Sequence, residues 1–231
     1  MNIAIILAGG NGSRMKVGSE PKQYMMIQKK PIISYCLETF EAHKQIDGII
    51  IVAEEEWHDF MNEWLHKDHI TKFCGYAVPG RTRQHSIYNG LKAAKGITPE
   101  SDGIVIIHDA ARPMVSEKII SDCIEGATKK DGAMPVISVK DTIYTSHNGK
   151  IIEGLLNRDE LFAGQAPESF RLDKYLAIHD TMSDDDLGNI RGSSEIAYRA
   201  GMEIVLIEGS EDNFKITTKV DYDKFKKIME Q

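Results

Sequence analysis

The sequence has few cysteines and no pattern that would organise them into a disulfide framework. Its 231 residues include 3 cysteines, Cys36, Cys74 and Cys123, which lie far apart and never form a Cys-x-x-Cys motif. Disulfide frameworks usually use an even number of cysteines at short spacings. Disulfides are also rare in reducing compartments. The composition therefore predicts a cytoplasmic protein without structural disulfides.

The sequence also lacks a basic excess and a long apolar run. The formal net charge is −7, whereas nucleic-acid binders generally carry clustered positive charge. No stretch approaches the roughly 20 apolar residues that a membrane span needs, and the apolar run at 3–9 is too short for a leader. We therefore expect neither a nucleic acid nor a membrane as a partner, while a small anion could still bind in a local basic pocket.

Short apolar runs rich in β-branched residues alternate with amphipathic segments. The predicted strands are 3–9, 48–53, 103–109, 133–139 and 202–209, and the predicted helices are 31–43, 83–94 and 116–129. Continuous apolar runs are typical of strands buried on both faces. The alternation predicts an α/β fold, a Rossmann-like three-layer sandwich with a mostly parallel sheet, and a single domain over 1–231.

One segment interrupts this alternation. Residues 140–156 read KDTIYTSHNGKIIEGLL, in which His-Asn-Gly separates two β-rich runs. Asn-Gly between such runs is a strong hairpin signal. We therefore predict an antiparallel β-arm, at about 138–160, inserted into the α/β domain.

The first predicted strand leads into glycines. Gly9, Gly10 and Gly12 would let an anion approach the backbone N–H groups closely, and Arg14 and Lys22 could add cationic donors for phosphate oxygens. The segment is neither a dinucleotide fingerprint, since Met15 stands where a glycine is needed, nor a Walker A loop. A glycine-rich turn without function is the alternative.

Several motifs together resemble one enzyme family. They are LAGGNGSRM (7–15), PKQY (21–24), GRTRQHSIYNGL (80–91), HDAARP (108–113), SVKDTI (138–143), LNRDELFAGQAPESF (156–170) and DNFKITT (212–218). The sequence is similar to nucleotidyltransferases that activate sugar phosphates, and more narrowly to cytidylyltransferases that act on methylerythritol phosphate and on ribitol phosphate. The resemblance covers nearly the whole chain and implies a reaction of CTP with a phosphorylated alcohol to give a CDP-alcohol and pyrophosphate.

The resemblance also implies roles for individual residues. The catalytic cations would be Arg14, Lys22 and Lys215. The nucleotide-binding residues would be Leu7, Ala8, Gly9, Gly10, Asn11, Gly12, Gly80, Arg83, Ser86, Asp109 and Ala110. The acceptor-binding residues would be Lys140, Asp141, Thr142 and Arg158. In the family these last residues lie on or near the arm and are shared across a dimer interface, so a homodimer is implied.

Asp109 ends a predicted parallel strand, at the edge where such sheets bind ligands. A carboxylate there would repel phosphates unless a cation intervened, and Mg²⁺ commonly bridges one carboxylate to phosphate oxygens. We therefore predict Mg²⁺ as the cofactor, with Asp109 and Asp212 as candidate ligands. A helix N-cap is the alternative role for Asp109.

Two segments depart from the family pattern. Ala166–Pro167–Glu168 stands where Thr-Pro-Gln is usual, and Arg191–Gly192–Ser193 stands where Thr-Asp-Glu or Thr-Asp-Ala is usual. Because both segments border the acceptor site in the family, we expect an altered reading of the acceptor alcohol. We favour a polyol phosphate such as ribitol, arabinitol or mannitol phosphate. Methylerythritol phosphate is the alternative, and a non-catalytic nucleotide-binding module is an alternative of another class.

Overall fold

The fold is that of a computed structural model, which describes residues 1–10, 20–98 and 103–230. The strands are β1 (Asn2–Leu7), β2 (Met26–Ile27), β3 (Lys30–Pro31), β4 (Gly48–Val52), β5 (Phe73–Ala77), β6 (Ile104–Asp109), β7 (Gly132–Ser138), β8 (Tyr144–Thr145), β9 (Gly154–Leu155), β10 (Phe162–Gly164), β11 (Glu168–Arg171) and β12 (Ile204–Glu208). The α-helices are α1 (Ile32–Ala42), α2 (His58–Lys67), α3 (Arg83–Ile97), α4 (Glu117–Lys129), α5 (Leu172–Thr181), α6 (Asp184–Asn189), α7 (Ser193–Arg199) and α8 (Lys219–Met229).

Eight of these strands form the central sheet of the described part of the chain. Their order is β10-β7-β11-β6-β1-β4-β5, and β12 also pairs with β7. The pairs of β1 with β4 and β6, of β4 with β5 and of β7 with β12 are parallel, whereas β10 and β11 pair antiparallel with their neighbours. The predicted mainly parallel α/β sheet is confirmed.

Alternate residues of the central strands belong to two different cores, because successive strand side chains point to opposite faces of a sheet. In β1, Ala4 and Ile6 pack with α1, α2 and α4 on one face. Ile3 and Ile5 pack with α3, α5 and α7 on the other face. The continuous apolar runs therefore fill both faces, which explains why they show no polar alternation.

The ends of several helices follow ordinary capping chemistry. The Ser116 hydroxyl accepts a hydrogen bond from Ile119 N at the start of α4, as its position in the sequence predicts. The Thr82 hydroxyl caps α3 in the same way. Asp109 caps neither helix, so the alternative N-cap role for this residue is wrong. Its carboxylate lies at the end of β6.

The predicted arm is present as a short antiparallel hairpin, but its turn differs from the prediction. Tyr144 pairs with Leu155 and Thr145 with Gly154. The two strands are joined by residues 146–153, a much longer connection than a two-residue Asn-Gly turn. Asn148 folds this loop locally, since its Oδ1 accepts from Lys150 N at 2.8 Å. Side-chain hydrogen bonding to the backbone therefore replaces the tight turn.

The ends of the predicted helices and strands lie within three residues of the ends of observed elements. Sequence periodicity did not predict β5, β10 and β11, nor α2 and the helices after the arm. No helix among the described residues is long and apolar enough to span a membrane.

Candidate active site

An open cleft of about 680 Å³ lies where β1 and β6 end. It is lined by Leu7, Gly9, Gly10, Lys22, Gln23, Glu54, Pro79, Gly80, Arg81, Thr82, Arg83, Ser86, Asp109, Ala111, Lys215 and Thr217. The carboxyl edge of a mainly parallel sheet is the usual ligand-binding edge. The cleft therefore brings together nine residues that the sequence singled out, from five separate motifs.

Two glycines in the cleft wall occupy places where a side chain would collide with its neighbours. A Cβ on Gly9 would lie 2.5 Å from two Pro79 side-chain carbons, and one on Gly80 would lie 2.2 Å from the His85 Cβ. Gly80 N donates to the Ser86 hydroxyl at 3.0 Å. The wall is thus bare backbone packed tightly against Pro79 and His85, where only glycine fits.

The segment that carries Lys22 is fastened to the glycine-rich loop. The Gln23 amide donates to the carbonyls of Ala8 and Gly10, the latter at 3.0 Å, and Gln23 is almost fully buried. The Tyr24 hydroxyl also donates to Ala8 O at 3.2 Å, and its ring stacks on Trp57 at 4.3 Å between centroids. Burial holds the pKa of the Tyr24 hydroxyl well above its usual range. These contacts fix Lys22 beside Gly9 and Gly10.

Three cations surround the Asp109 carboxylate. Arg83 Nε lies 3.2 Å from Oδ1, and Lys215 Nζ and Arg112 Nε lie 2.9 and 3.6 Å from Oδ2. Burial alone would raise the pKa of Asp109, but Arg83 and Lys215 outweigh it and hold this pKa far below its ordinary value. Asp109 is therefore an anchored carboxylate that orients two cations of the cleft. Arg112 also donates to Asn213 O at 2.6 Å, so it ties the end of β6 to the segment before Lys215.

Arg83 is held by more than Asp109. Its Nη1 donates to the Ser193 hydroxyl at 2.6 Å, and its Nη2 lies 3.6 Å from Glu168 Oε1. Burial would lower the pKa of the guanidinium, but Asp109 and Glu168 raise it above its usual value. Arg83 therefore stays charged at the wall of the cleft.

The remaining predicted nucleotide-binding residues divide into two groups. Ala8 and Ala110 are buried and do not line the cleft; Ala8 N donates to Val52 O at 2.8 Å and Ala110 N to Leu7 O at 3.1 Å. Their backbone hydrogen bonds join neighbouring strands beside the cleft. Asn11 and Gly12 lie outside the described residues, as does the predicted catalytic Arg14, so their roles stay predictions.

The predicted acceptor-binding residues lie on the arm. Thr142 and Arg158 line a second, open cleft of about 480 Å³ with Leu155, Leu156, Asn157 and Asp159. Arg158 Nη1 donates to Lys140 O at 3.3 Å, while the Lys140 ammonium pairs with Glu211 at 2.7 Å. Asp141 is exposed and lines neither cleft. The two clefts share no lining residue.

Two residues of the segments that depart from the family pattern contact a residue of the first cleft. Ala166 is buried, and neither it nor Gly192 lines the second cleft. Glu168 and Ser193 contact Arg83, which lines the first cleft. The expectation that these departures alter the reading of the acceptor alcohol stays a prediction.

The cleft also contains residues that sequence reasoning missed. Gln23, Arg81 and Thr217 belong to the motifs PKQY, GRTRQHSIYNGL and DNFKITT, and these motifs could have identified them. Glu54 follows β4, and its position after a parallel strand could have identified it. Arg81 pairs with Asp184 at 2.7 Å across the cleft rim, a contact between distant parts of the chain that no local pattern predicts.

The two candidate metal ligands differ in position. Asp109 faces the cleft, whereas Asp212 is exposed and is not one of its lining residues. Among the described residues, no three His, Cys, Asp or Glu side chains are grouped as a metal site. Glu54 and Asp109 are the carboxylates among the lining residues. A cation held by Asp109 would fill the rest of its shell from the ligand and water, which suits Mg²⁺.

Comparison with known proteins gives the chain a family. Residues 2–231 match the family described as IspD: 2-C-methyl-D-erythritol 4-phosphate cytidylyltransferase. The chain is 32% identical over 228 residues to a ribitol-5-phosphate cytidylyltransferase of Streptococcus agalactiae, covering 99% of this chain and 95% of that protein. It is 40% identical over 222 residues to a 2-C-methyl-D-erythritol 4-phosphate cytidylyltransferase of Clostridium acetobutylicum, covering 96% and 94%.

Solved structures agree with these matches. The crystal structure of 4-diphosphocytidyl-2C-methyl-D-erythritol synthase from Anaerococcus prevotii superimposes with a TM-score of 0.84 at 25% identity, covering 100% of this chain and 96% of that one. The resemblance noted from the motifs is confirmed. The protein belongs to the 2-C-methyl-D-erythritol 4-phosphate cytidylyltransferase family and is a nucleotidyltransferase enzyme.

Proposed function

We propose that this enzyme transfers the cytidylyl group of CTP to the phosphate of a sugar alcohol, with ribitol 5-phosphate as the representative acceptor. The observation that carries the proposal is the convergence of Lys22, Arg83 and Lys215 on a cleft walled by Gly9 and Gly10. Bare backbone and fixed cations are what a triphosphate requires.

The chemistry needs little from the protein beyond position and charge. A phosphate oxygen of the acceptor attacks the α-phosphorus of CTP, the new P–O bond forms, and the bond to the β-phosphate breaks. Pyrophosphate leaves with that electron pair. The acceptor phosphate is already ionised, so no general base is required. Lys22, Arg14 and Lys215 stabilise the charge that develops on the phosphorus oxygens, as preorganised cations do in phosphoryl transfer.

Asp109 is the residue that would hold Mg²⁺ in this cleft, with phosphate oxygens and water completing the coordination. When bound, the metal neutralises part of the triphosphate charge. Asp109 already lies among three cations at 2.9–3.6 Å, so it couples the metal position to Arg83 and Lys215. Activity that survives EDTA would remove this role.

The acceptor follows from the names of relatives, and they divide between two alcohols. Ribitol-5-phosphate cytidylyltransferases of Streptococcus agalactiae and Vibrio parahaemolyticus match over essentially the whole chain at 31–34% identity. The Clostridium acetobutylicum relative at 40% identity and the family description favour methylerythritol phosphate as a second candidate. Arg158 would bind the phosphate of either acceptor, because that charge is common to both.

We further propose a single nucleotidyltransferase domain that forms a cytoplasmic homodimer through the arm at 138–160. A single domain is supported by the central sheet, which contains β1 and β12 from near the two ends of the described chain. A reducing compartment suits the free cysteines. The arm exposes Tyr144, Ile151, Ile152, Leu155 and Leu156. Large apolar side chains exposed together on one segment are common at interfaces, and a short hairpin alone is marginal in water.

The test is pyrophosphate release with purified enzyme, Mg²⁺, and CTP, ATP or GTP, combined with ribitol, arabinitol, mannitol or methylerythritol phosphate. We expect CTP to be preferred and ribitol 5-phosphate to give the highest kcat/KM. A methylerythritol phosphate kcat/KM at least tenfold higher, about 1.4 kcal/mol of transition-state preference, would assign the enzyme to the second candidate. Equal turnover of ATP or GTP would remove the cytidine assignment.

A further inference from the structure

Each of the three nitrogens of the Arg83 guanidinium contacts a residue of a different secondary-structure element. Nε contacts Asp109 at the end of β6 at 3.2 Å, and Nη1 donates to Ser193 Oγ at the start of α7 at 2.6 Å. Nη2 lies 3.6 Å from Glu168 Oε1 at the start of β11. A planar guanidinium held at three points has little freedom to rotate, so its orientation in the cleft wall is set by these partners.

Glu168 is itself fixed in place. It is 7% exposed and sits in β11 opposite Ile107 of β6. Its second oxygen, Oε2, accepts from Ser194 N at 2.8 Å and from Ser194 Oγ at 2.6 Å. One carboxylate oxygen is thus satisfied by α7, and the other faces Arg83. Ser193 is also fixed, because its carbonyl accepts from the Tyr175 hydroxyl at 2.9 Å.

The charges around Arg83 explain why the Glu168 carboxylate can be buried here. Arg83, Arg112 and Lys215 face Asp109, and Asp109 alone would leave an excess of two positive charges. A buried charge without a partner is costly. Glu168 supplies a second negative charge at Nη2 of Arg83, although it does not itself line the cleft.

We propose that Glu168 and Ser193 are positioning residues that set the orientation of the Arg83 guanidinium toward the bound nucleotide. The inference rests on the proposed function, since it requires a nucleotide triphosphate in the first cleft. Neither residue lines that cleft, so both act on the nucleotide through Arg83.

A positioning role and a purely electrostatic role predict opposite signs. Glu168→Gln removes a negative charge near an anion site, so electrostatics alone would tighten CTP binding. Loss of the partner that holds Nη2 would instead loosen Arg83 and weaken CTP binding. Ser193→Ala changes no charge, so it weakens binding only if the orientation of Arg83 matters.

The experiment measures the dissociation constant of CTP, by calorimetry with the whole enzyme and Mg²⁺, for the unaltered protein and both variants. We expect Glu168→Gln to raise Kd about 5- to 30-fold and Ser193→Ala about 3- to 10-fold. These changes correspond to about 1–2 and 0.7–1.4 kcal/mol, which spans a typical hydrogen bond and the lower end of hydrogen bonds to a charged group. Thermal unfolding of each variant is recorded alongside. Tighter binding by Glu168→Gln, or unchanged binding by Ser193→Ala in a folded protein, would overturn the inference.

Two substitutions control for loss of a hydrogen bond as such. The half-buried Glu41 accepts from Lys72 N at 2.9 Å, and the buried Ser169 donates to Cys123 O at 2.6 Å. Neither lines the cleft, so Glu41→Gln and Ser169→Ala should leave Kd within about twofold, since substitutions at sites without shared partners act independently. Equal weakening by the controls would mean that general loosening, not Arg83, is responsible.

A double-mutant cycle with Arg83→Ala separates positioning from every indirect effect. If Glu168 acts through Arg83, Glu168→Gln changes Kd by less than about twofold once Arg83 is removed. An undiminished effect in that background would refute the inference. Failure of the unaltered enzyme to bind CTP would overturn the proposed function, and this inference with it; binding without coupling would overturn the inference alone.

Discussion

Asp109→Asn should destabilise the protein far more than a typical loss of an ion pair. The Asp109 side chain is 11% exposed, and its cationic partners Lys215, Arg83 and Arg112 lie within 2.9–3.6 Å. Removing one partner of a buried pair generally costs about 3–5 kcal/mol, because the charge left behind is uncompensated. Glu168 still faces Arg83, so we expect the lower end of this range, about 3 kcal/mol.

The assay is thermal unfolding at pH 7 without ligand, followed by circular dichroism. For a chain of this length, about 3 kcal/mol corresponds to a fall in Tm of about 6–12 °C. The matched control is Asp173→Asn, which removes a 2.6 Å contact with Lys95 on the surface, where both side chains are more than a third exposed. Exposed pairs contribute only about 0–1 kcal/mol. The reasoning is refuted if Asp109→Asn loses no more stability than Asp173→Asn.

The pH dependence of this difference has a definite sign. The pKa of Asp109 is lower in the folded than in the unfolded protein, because Arg83 and Lys215 outweigh the effect of burial. Its contribution is therefore fully present above the unfolded pKa of about 3.9 and is lost as the pH falls through the folded pKa. The stability gap between the unaltered protein and Asp109→Asn should be constant from pH 7 to 5 and narrow only below about pH 4.

Three further results are expected. Lys22→Ala and Arg14→Ala should each lower kcat about 100- to 1000-fold with the fold retained, as loss of a preorganised donor does; a few-fold loss in steady-state assays would mean these are surface cations. Arg158→Ala should raise KM for the acceptor phosphate at least tenfold more than KM for CTP, and equal increases would contradict its assignment. Ile151→Ser combined with Ile152→Ser should shift sedimentation from dimer to monomer at micromolar concentration, since these side chains are each 66% exposed in one chain; an unchanged dimer would exclude the arm as the interface.

The sequence by itself determined the layers of the fold and much of the cleft. The apolar runs predicted β1, β4, β6, β7 and β12 because strands buried on both faces need an unbroken apolar pattern. It also identified the glycine wall and Lys22, because each of these features is local. The short strands β10 and β11 and the strand β5, FCGYA, lack such a pattern. Their pairing comes from neighbouring strands rather than from their own composition.

Only the tertiary structure decided how the cations of the cleft are held. Glu168 and Ser193 follow Arg83 by 85 and 110 residues in the chain, yet both contact its guanidinium. The family resemblance associated both residues with the acceptor site. No local pattern in the sequence relates them to α3. The antiparallel insertion of β11 beside β6 brings Glu168 to the level of Ile107, two residues before Asp109, and α7 then delivers Ser193. Long-range strand pairing, which depends on burial across the whole sheet, therefore fixed what local motifs could not.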